Sequence, residues 1–151
     1  MQLFIKHYSE VDKDTFHDLI ALRISVFVIE QNCPYQELDG LDKDAYHLII
    51  REEDEIIGTL RVLKPGTSYE NEYGIGRVVS HPDHRGKKLG HLMMTKCMDF
   101  LVNELKVSNI RLSGQSHLTA FYERYNFKST GKEYLEDGIP HTDMLYNSES
   151  L

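Results

Sequence analysis

Apolar and polar positions fall into blocks that switch between strand and helix spacing along the chain. Leu3 to Tyr8 reads as a first strand. Asp12 or Asp14 can cap the helix that follows. In that helix Phe16, Leu19, Ile20, Arg23 and Phe27 share a face, with Ile24 and Val28 beside it. Pro34 disfavours continuation, so the helix ends near Gln31. Asn32 to Asp44 is a polar loop holding Pro34, Gly40 and several acids. Ala45 to Arg51 and Ile56 to Leu63 read as a hairpin about a turn at Glu53 and Asp54, with Gly58 at a close approach or bulge. Pro65-Gly66-Thr67-Ser68 is a turn, and Tyr73 to Ser80 the next strand.

The clearest helix starts near Leu89. Leu89, Leu92, Met93, Cys97, Phe100, Leu101 and Leu105 recur at helical spacing. Asn109 to Ser113 is a short strand and Leu118 to Tyr125 a short helix. Asn126 stops that helix, because it tolerates positive φ. Strands follow from Phe127 and over His141 to Tyr146. The order predicts an α/β (α+β) fold: a mixed, mostly antiparallel sheet with helices on both faces. No repeat or long linker interrupts it, so residues 1–151 read as one domain.

Composition narrows the class. Apolar residues make up 40% and charged residues 27%, as in soluble globular proteins. Lys+Arg 17 against Asp+Glu 24 leaves a net charge of −7, which argues against nucleic acid as a partner. No stretch matches a membrane span or a signal peptide, which makes the cytoplasm the simplest compartment. Cys33 and Cys97 make no disulfide framework; Cys97 lies on an apolar helix face and reads as a buried thiol. His81, His84 and His91 span a turn and a helix, with no cysteine or carboxylate completing an obvious set, so no metal is expected. Monomer and homodimer both fit, the strand near Tyr146 being the one that a partner chain would pair with.

The densest chemistry lies in Val78-Val79-Ser80-His81-Pro82-Asp83-His84-Arg85-Gly86-Lys87-Lys88-Leu89-Gly90. A strand, a short basic loop and a helix N-terminus form an anion site from free N–H groups and the helix dipole. The spacing is neither that of a P-loop nor that of a dinucleotide fingerprint. A second constellation, Ala120 to Phe127, places Phe121 and Phe127 in the core and leaves Tyr122 as core or functional.

Together these runs resemble the GNAT superfamily of acetyl-CoA-dependent N-acetyltransferases. Arg85-Gly86-Lys87-Lys88-Leu89-Gly90 is similar to the family's Arg/Gln-x-x-Gly-x-Gly/Ala pattern, with Lys88 at the usual middle glycine. Lys88 is therefore expected to point outward or to meet a phosphate. Phe27 to Gly40, Gly76 to Val79, Gln115 to Leu118 and Glu136 to His141 resemble the ElaA-like branch.

The resemblance implies acetyl-CoA as co-substrate, a primary amine as acceptor and direct attack on the thioester. It implies cofactor contacts from Val78, Val79, Arg85, Gly86, Lys87, Lys88, Leu89, Gly90, His117 and Tyr122. In related enzymes the strand before the loop pairs with pantetheine and offers an N–H to the thioester carbonyl. Tyr122 is the candidate acid for the leaving thiolate, since a phenol of pKa ~10 keeps its proton at neutral pH. Glu37 is the preferred base, ahead of Asp39, His47, Asp137 and His141, because its loop follows the first helix and should border the acceptor. Arg61 and Arg77, on neighbouring strands, can pair with these acids. The acidic run Glu37 to Asp44 favours a cationic acceptor. The alternative is a module of the same fold that binds or senses acyl-CoA without turnover.

Overall fold

Short-range chemistry starts and stops the helices. The computed structural model describes residues 1–151. Asp12 opens helix α1 (Lys13–Arg23) by accepting the Thr15 N–H at Oδ1 (2.8 Å) and the Thr15 hydroxyl at Oδ2 (3.0 Å). The helix then widens over Ile24–Glu30, where the Gln31 N–H reaches the Val26 carbonyl (3.1 Å) and the Cys33 N–H that of Val28 (3.0 Å). Helix α2 (Leu89–Met98) widens in the same way over Asp99–Glu104. Helix α3 (Thr119–Glu123) ends before Asn126, whose φ of 69° is the left-handed conformation expected of it.

The strands are β1 (Gln2–His7), β2 (Tyr46–Glu52), β3 (Glu55–Leu63), β4 (Tyr73–Ser80), β5 (Asn109–Gln115), β6 (Lys128–Glu136) and β7 (Ile139–Asn147). They form one sheet in the order β1-β2-β3-β4-β5-β7-β6. Every neighbouring pair is antiparallel except β4 and β5. The strand that carries Tyr146 is β7, which is bonded on both sides, to β5 and to β6. It offers no edge to a partner, contrary to the sequence expectation; the free edges are β1 and β6.

Alternation along β2 builds two cores. Leu48 and Ile50 point to the face covered by α2 and α3, among Met93, Met94, Leu101 and Phe127. Ile49 points to the other face, among Leu19, Leu22 and Val26 of α1 and its extension. Burial on both faces explains why β2 and β3 are nearly continuous apolar runs. Cys97 is fully buried, as expected.

The β4–β5 pairing is short. It runs Tyr73–Ile110, Gly74–Arg111 and Ile75–Leu112, and beyond Ile75 the strands part. On its other side β4 pairs Val79 with Thr59 and Gly76 with Arg61, so Leu60 faces two residues, Arg77 and Val78. This bulge is built on Arg77, whose φ is 52°.

His47 on β2 is fully buried beside the rings of Tyr8 and Phe16. Its Nε2–H donates to the Asp42 carbonyl (3.1 Å), and Nδ1 has no partner. Burial pushes its pKa below 6.5. The unfolded chain therefore takes up this proton first as pH falls. The unfolding free energy is expected to be level above pH ~6.5 and to decline below it, with a slope approaching ~1.4 kcal/mol per pH unit from this one group. Burial alone would raise the pKa values of Asp39 and Asp42, but hydrogen bonds from Arg61 and Arg23 respectively outweigh it and lower them. Their contribution is complete above the usual carboxylate range and adds a second decline below pH ~4. Urea unfolding from pH 8 to 3 measures this. Equal stability at pH 7 and 5, or a His47→Gln variant with an unchanged profile, refutes it.

Candidate active site

The parting of β4 and β5 opens a cleft of about 440 Å³. Its walls are Gly74 to Val78 on β4 and Leu112 to Gln115 on β5. Tyr122 of α3 also lines it, and Gly114 is what lets the ring sit there. A Cβ on Gly114 would lie 2.8 Å from Tyr122 Cε2. The phenol is 6% exposed, and burial pushes its pKa up to about 12. Its proton therefore stays in place throughout the neutral range.

One rim of the cleft is the loop between α1 and β2, which supplies Tyr35, Asp39 and Leu41. A buried network of guanidiniums and carboxylates holds this loop. Arg23, 1% exposed, donates Nε–H to Glu37 Oε2 (2.6 Å) and both Nη groups to Asp42 (2.7 and 3.2 Å). Arg61 bonds Asp39 (2.6 and 2.9 Å) and Asp42 (3.2 Å). Arg77 donates Nε–H to Glu37 Oε2 (2.9 Å) and Nη2 to Asp39 (3.3 Å). The Tyr35 hydroxyl donates to Glu37 Oε1 (2.6 Å). The pairing of Arg61 and Arg77 with the acids is as the sequence suggested.

Two sequence readings change here. Glu37 does not line the cleft, and its oxygens are engaged by Arg23, Arg77 and Tyr35. It positions the loop; the geometry gives it no proton to collect. The acids Glu37, Asp39 and Asp42 are neutralised by Arg23, Arg61 and Arg77, so this run lends the cleft no net charge. The negative groups facing the cleft are instead Glu136 and Asp137, at the tip of the β6–β7 hairpin.

His141 lines the same rim. Its Nδ1–H donates to the Ile139 carbonyl (2.7 Å), and its ring stacks on Tyr134. That keeps a proton on Nδ1 and leaves Nε2, 3.4 Å from Glu136 Oε2, as the nitrogen able to exchange one.

The basic loop sits beyond the end of β4, outside the lining of this cleft. Val78 lines the cleft, whereas the Val79 side chain is buried in the α1-side core. Gly86 and Lys88 both have positive φ, 87° and 59°. Lys88 adopts the glycine-like backbone and its side chain is exposed, as expected. No side chain caps α2, whose first helical bond runs from the Leu92 N–H to the Lys88 carbonyl (3.2 Å). The N–H groups of Leu89, Gly90 and His91 thus have no helical acceptor and suit an anion. The Leu89 side chain is core. Gly90 lies against Phe121, where a Cβ would come within 3.2 Å of Cζ, so packing also demands this glycine.

Arg85 forms a bidentate pair with Glu30 (2.6 and 2.9 Å), a partner that sequence reasoning missed. The Lys87 ammonium donates to His84 Nδ1 (3.0 Å). His117 is exposed on the turn after β5 and does not line the cleft, although Gln115 and Leu118 beside it do.

Comparison with known proteins agrees with this arrangement. The family model described as an acetyltransferase (GNAT) domain matches residues 5–148. The protein ElaA of Escherichia coli is 37% identical over 140 residues, which span 91% of each chain. A crystal structure of an acyl-CoA N-acyltransferase from Pseudomonas aeruginosa superposes with a TM-score of 0.90 at 38% identity, covering 97% of this chain and 99% of that one. The crystal structure of Escherichia coli ElaA gives a TM-score of 0.89 at 34% identity, with the same coverage. A seven-stranded sheet that parts between β4 and β5, a basic loop leading into α2 and the sequence match over nearly the whole length have one common reading: the chain belongs to the GNAT acetyltransferase family.

Proposed function

We propose that the chain transfers an acetyl group from acetyl-CoA to a primary amine on a cationic acceptor. The observation that carries this reading is the cleft between β4 and β5, with a protonated phenol on its wall and an uncapped helix N-terminus beyond the end of β4. The pyrophosphate sits on the N–H groups from Gly86 to Gly90, with Lys87 and Arg85 beside it. The pantetheine lies along β4 where β5 has left it. In this reading Val78, next to the bulge at Arg77, supplies the backbone N–H for the thioester oxygen, which gains negative charge as the amine adds.

An alkylammonium is drawn to the rim by Glu136 and Asp137. His141 Nε2 takes one proton from it, and the resulting imidazolium is held between the Ile139 carbonyl and the Glu136 carboxylate. The amine lone pair attacks the carbonyl carbon, the carbon–sulfur bond breaks, and the departing sulfur takes the Tyr122 proton. The nitrogen's second proton returns to the phenolate and the imidazolium gives its proton to water, so each turnover releases one thiol, one amide and one proton.

Calorimetry with acetyl-CoA, followed by thiol release across a panel of alkylamines, tests the reading. Micromolar binding and acceptor-dependent release, strongest for di- and polyamines, are expected. No binding at millimolar acetyl-CoA overturns it. Tight binding with no release for any amine replaces it with the non-catalytic acyl-CoA-sensing reading.

A further inference from the structure

His81 and His84 are three residues apart on the turn that joins β4 to the basic loop. Pro82–His84 is a 3₁₀ turn, in which positions i and i+3 eclipse, so both imidazoles lie on one side. Their rings meet edge to face with centroids 5.5 Å apart. The completing carboxylate comes from elsewhere in the chain. The His81 N–H bonds to the Ile57 carbonyl (2.8 Å), and this pairing carries Glu55, at the start of β3, to the imidazoles. His84 Nε2 lies 2.9 Å from Glu55 Oε1, and His81 Nε2 lies 3.8 Å from Glu55 Oε2.

We propose that Glu55, His81 and His84 bind one divalent transition-metal ion of the Zn²⁺ class. Tetrahedral zinc with bonds of ~2.0–2.1 Å sets its ligand atoms about 3.4 Å apart. One ligand atom from each of Glu55, His81 and His84 already lies within 4.8 Å of the other two, so small side-chain rotations close the set. Two imidazoles and a carboxylate leave a fourth position for water. The outer groups fit as well. A metal at each Nε2 puts the ring proton on Nδ1, which then needs an acceptor. Glu52 Oε2 is 3.7 Å from His84 Nδ1, and Asp83 Oδ2 is 4.0 Å from His81 Nδ1. Two contacts are exchanged in return. The Asp83 N–H gives up His81 Nδ1, and the Lys87 ammonium gives up His84 Nδ1. Lys87 therefore competes with the ion, and the ion frees Lys87 for the anion loop. The site lies outside the cleft, and its occupancy does not depend on the reaction proposed above.

The experiment is calorimetry of the whole chain with zinc chloride alone, with Co²⁺ absorption as a second readout. One Zn²⁺ per chain is expected, with Co²⁺ giving the intense visible bands of a four-coordinate site and Mg²⁺ and Ca²⁺ giving no heat. His84→Ala and Glu55→Gln lose stoichiometric binding, while Lys87→Ala tightens it. Cys33→Ser, which removes the partly exposed thiol, leaves it unchanged. Equal zinc affinity in wild type and a His81→Ala/His84→Ala variant overturns the proposal, as does equal binding of Mg²⁺ and Zn²⁺. Weakened binding in Lys87→Ala overturns it too.

Discussion

Replacing Arg23 by methionine destabilises the fold by about 3–5 kcal/mol, the usual cost of removing one partner from a buried ion pair. The guanidinium is nearly inaccessible and serves two carboxylates at once, Glu37 through Nε and Asp42 through both Nη groups. Methionine matches the stem but leaves Asp42 with Arg61 alone and Glu37 with Arg77 and Tyr35. Lysine does not rescue it, because a point ammonium cannot span both carboxylates. Domains are typically stable by only about 5–15 kcal/mol, so the loss is a large share. In urea, with a slope of ~2 kcal/mol per molar, the midpoint falls by about 1.5–2.5 M. A fall below ~0.5 M means the network is energetically idle. The same variant loosens the rim formed by Tyr35, Asp39 and Leu41, so it raises KM for the amine more than for acetyl-CoA.

Tyr122→Phe lowers kcat by about 10²-fold or more, the usual worth of a positioned general acid, and leaves KM for acetyl-CoA within a few-fold. Phenylalanine keeps the ring packing against Gly114 and Phe127, so the deficit belongs to the hydroxyl. The phenol pKa of about 12 means that its protonated form does not decline below pH ~11, so any alkaline limb seen between pH 8 and 10 arises elsewhere. Gly114→Ala is the complementary change. It keeps the hydroxyl but pushes the ring off its seat, and kcat falls without loss of the acid itself. Unchanged kcat in Tyr122→Phe assigns the tyrosine to packing alone, whatever Gly114→Ala does. Steady-state thiol release in both variants distinguishes the two roles.

The elements were legible because each carries its own period or stop signal. Asp12, Gly58 and Asn126 announce local geometry, and the Leu89 to Leu105 spacing announces α2. Beyond the β2–β3 hairpin the strand partners were not, since nothing in the β7 pattern says that β6 covers its edge. At the site, Lys88 was readable as an oddity because a side chain stands where backbone geometry favours glycine. Arg23 was visible on an apolar helix face, a position that demands buried counter-charges. Which acids answer it depends on the fold of a thirteen-residue loop, Asn32 to Asp44, with no periodicity to read. That is why Glu37 suggested a base and an acidic acceptor site, when its charge is spent inside the protein. Glu55 near His81 and His84, and Glu30 near Arg85, are pairings between distant segments, and only the sheet register or helix docking brings them together.

The short β4–β5 pairing gives the molecule a seam. Four strands lie on one side and three on the other, stitched by ladder bonds only from Tyr73 to Ile75. A ligand that lies in the gap completes the sheet from within and takes the place of a missing strand. Folding and ligand occupancy then draw on the same backbone groups. At a ligand concentration of ~100 Kd this linkage is worth about 2.7 kcal/mol, so the chain becomes markedly harder to unfold when its donor is abundant. Resistance to proteolysis is therefore expected to rise with the concentration of donor.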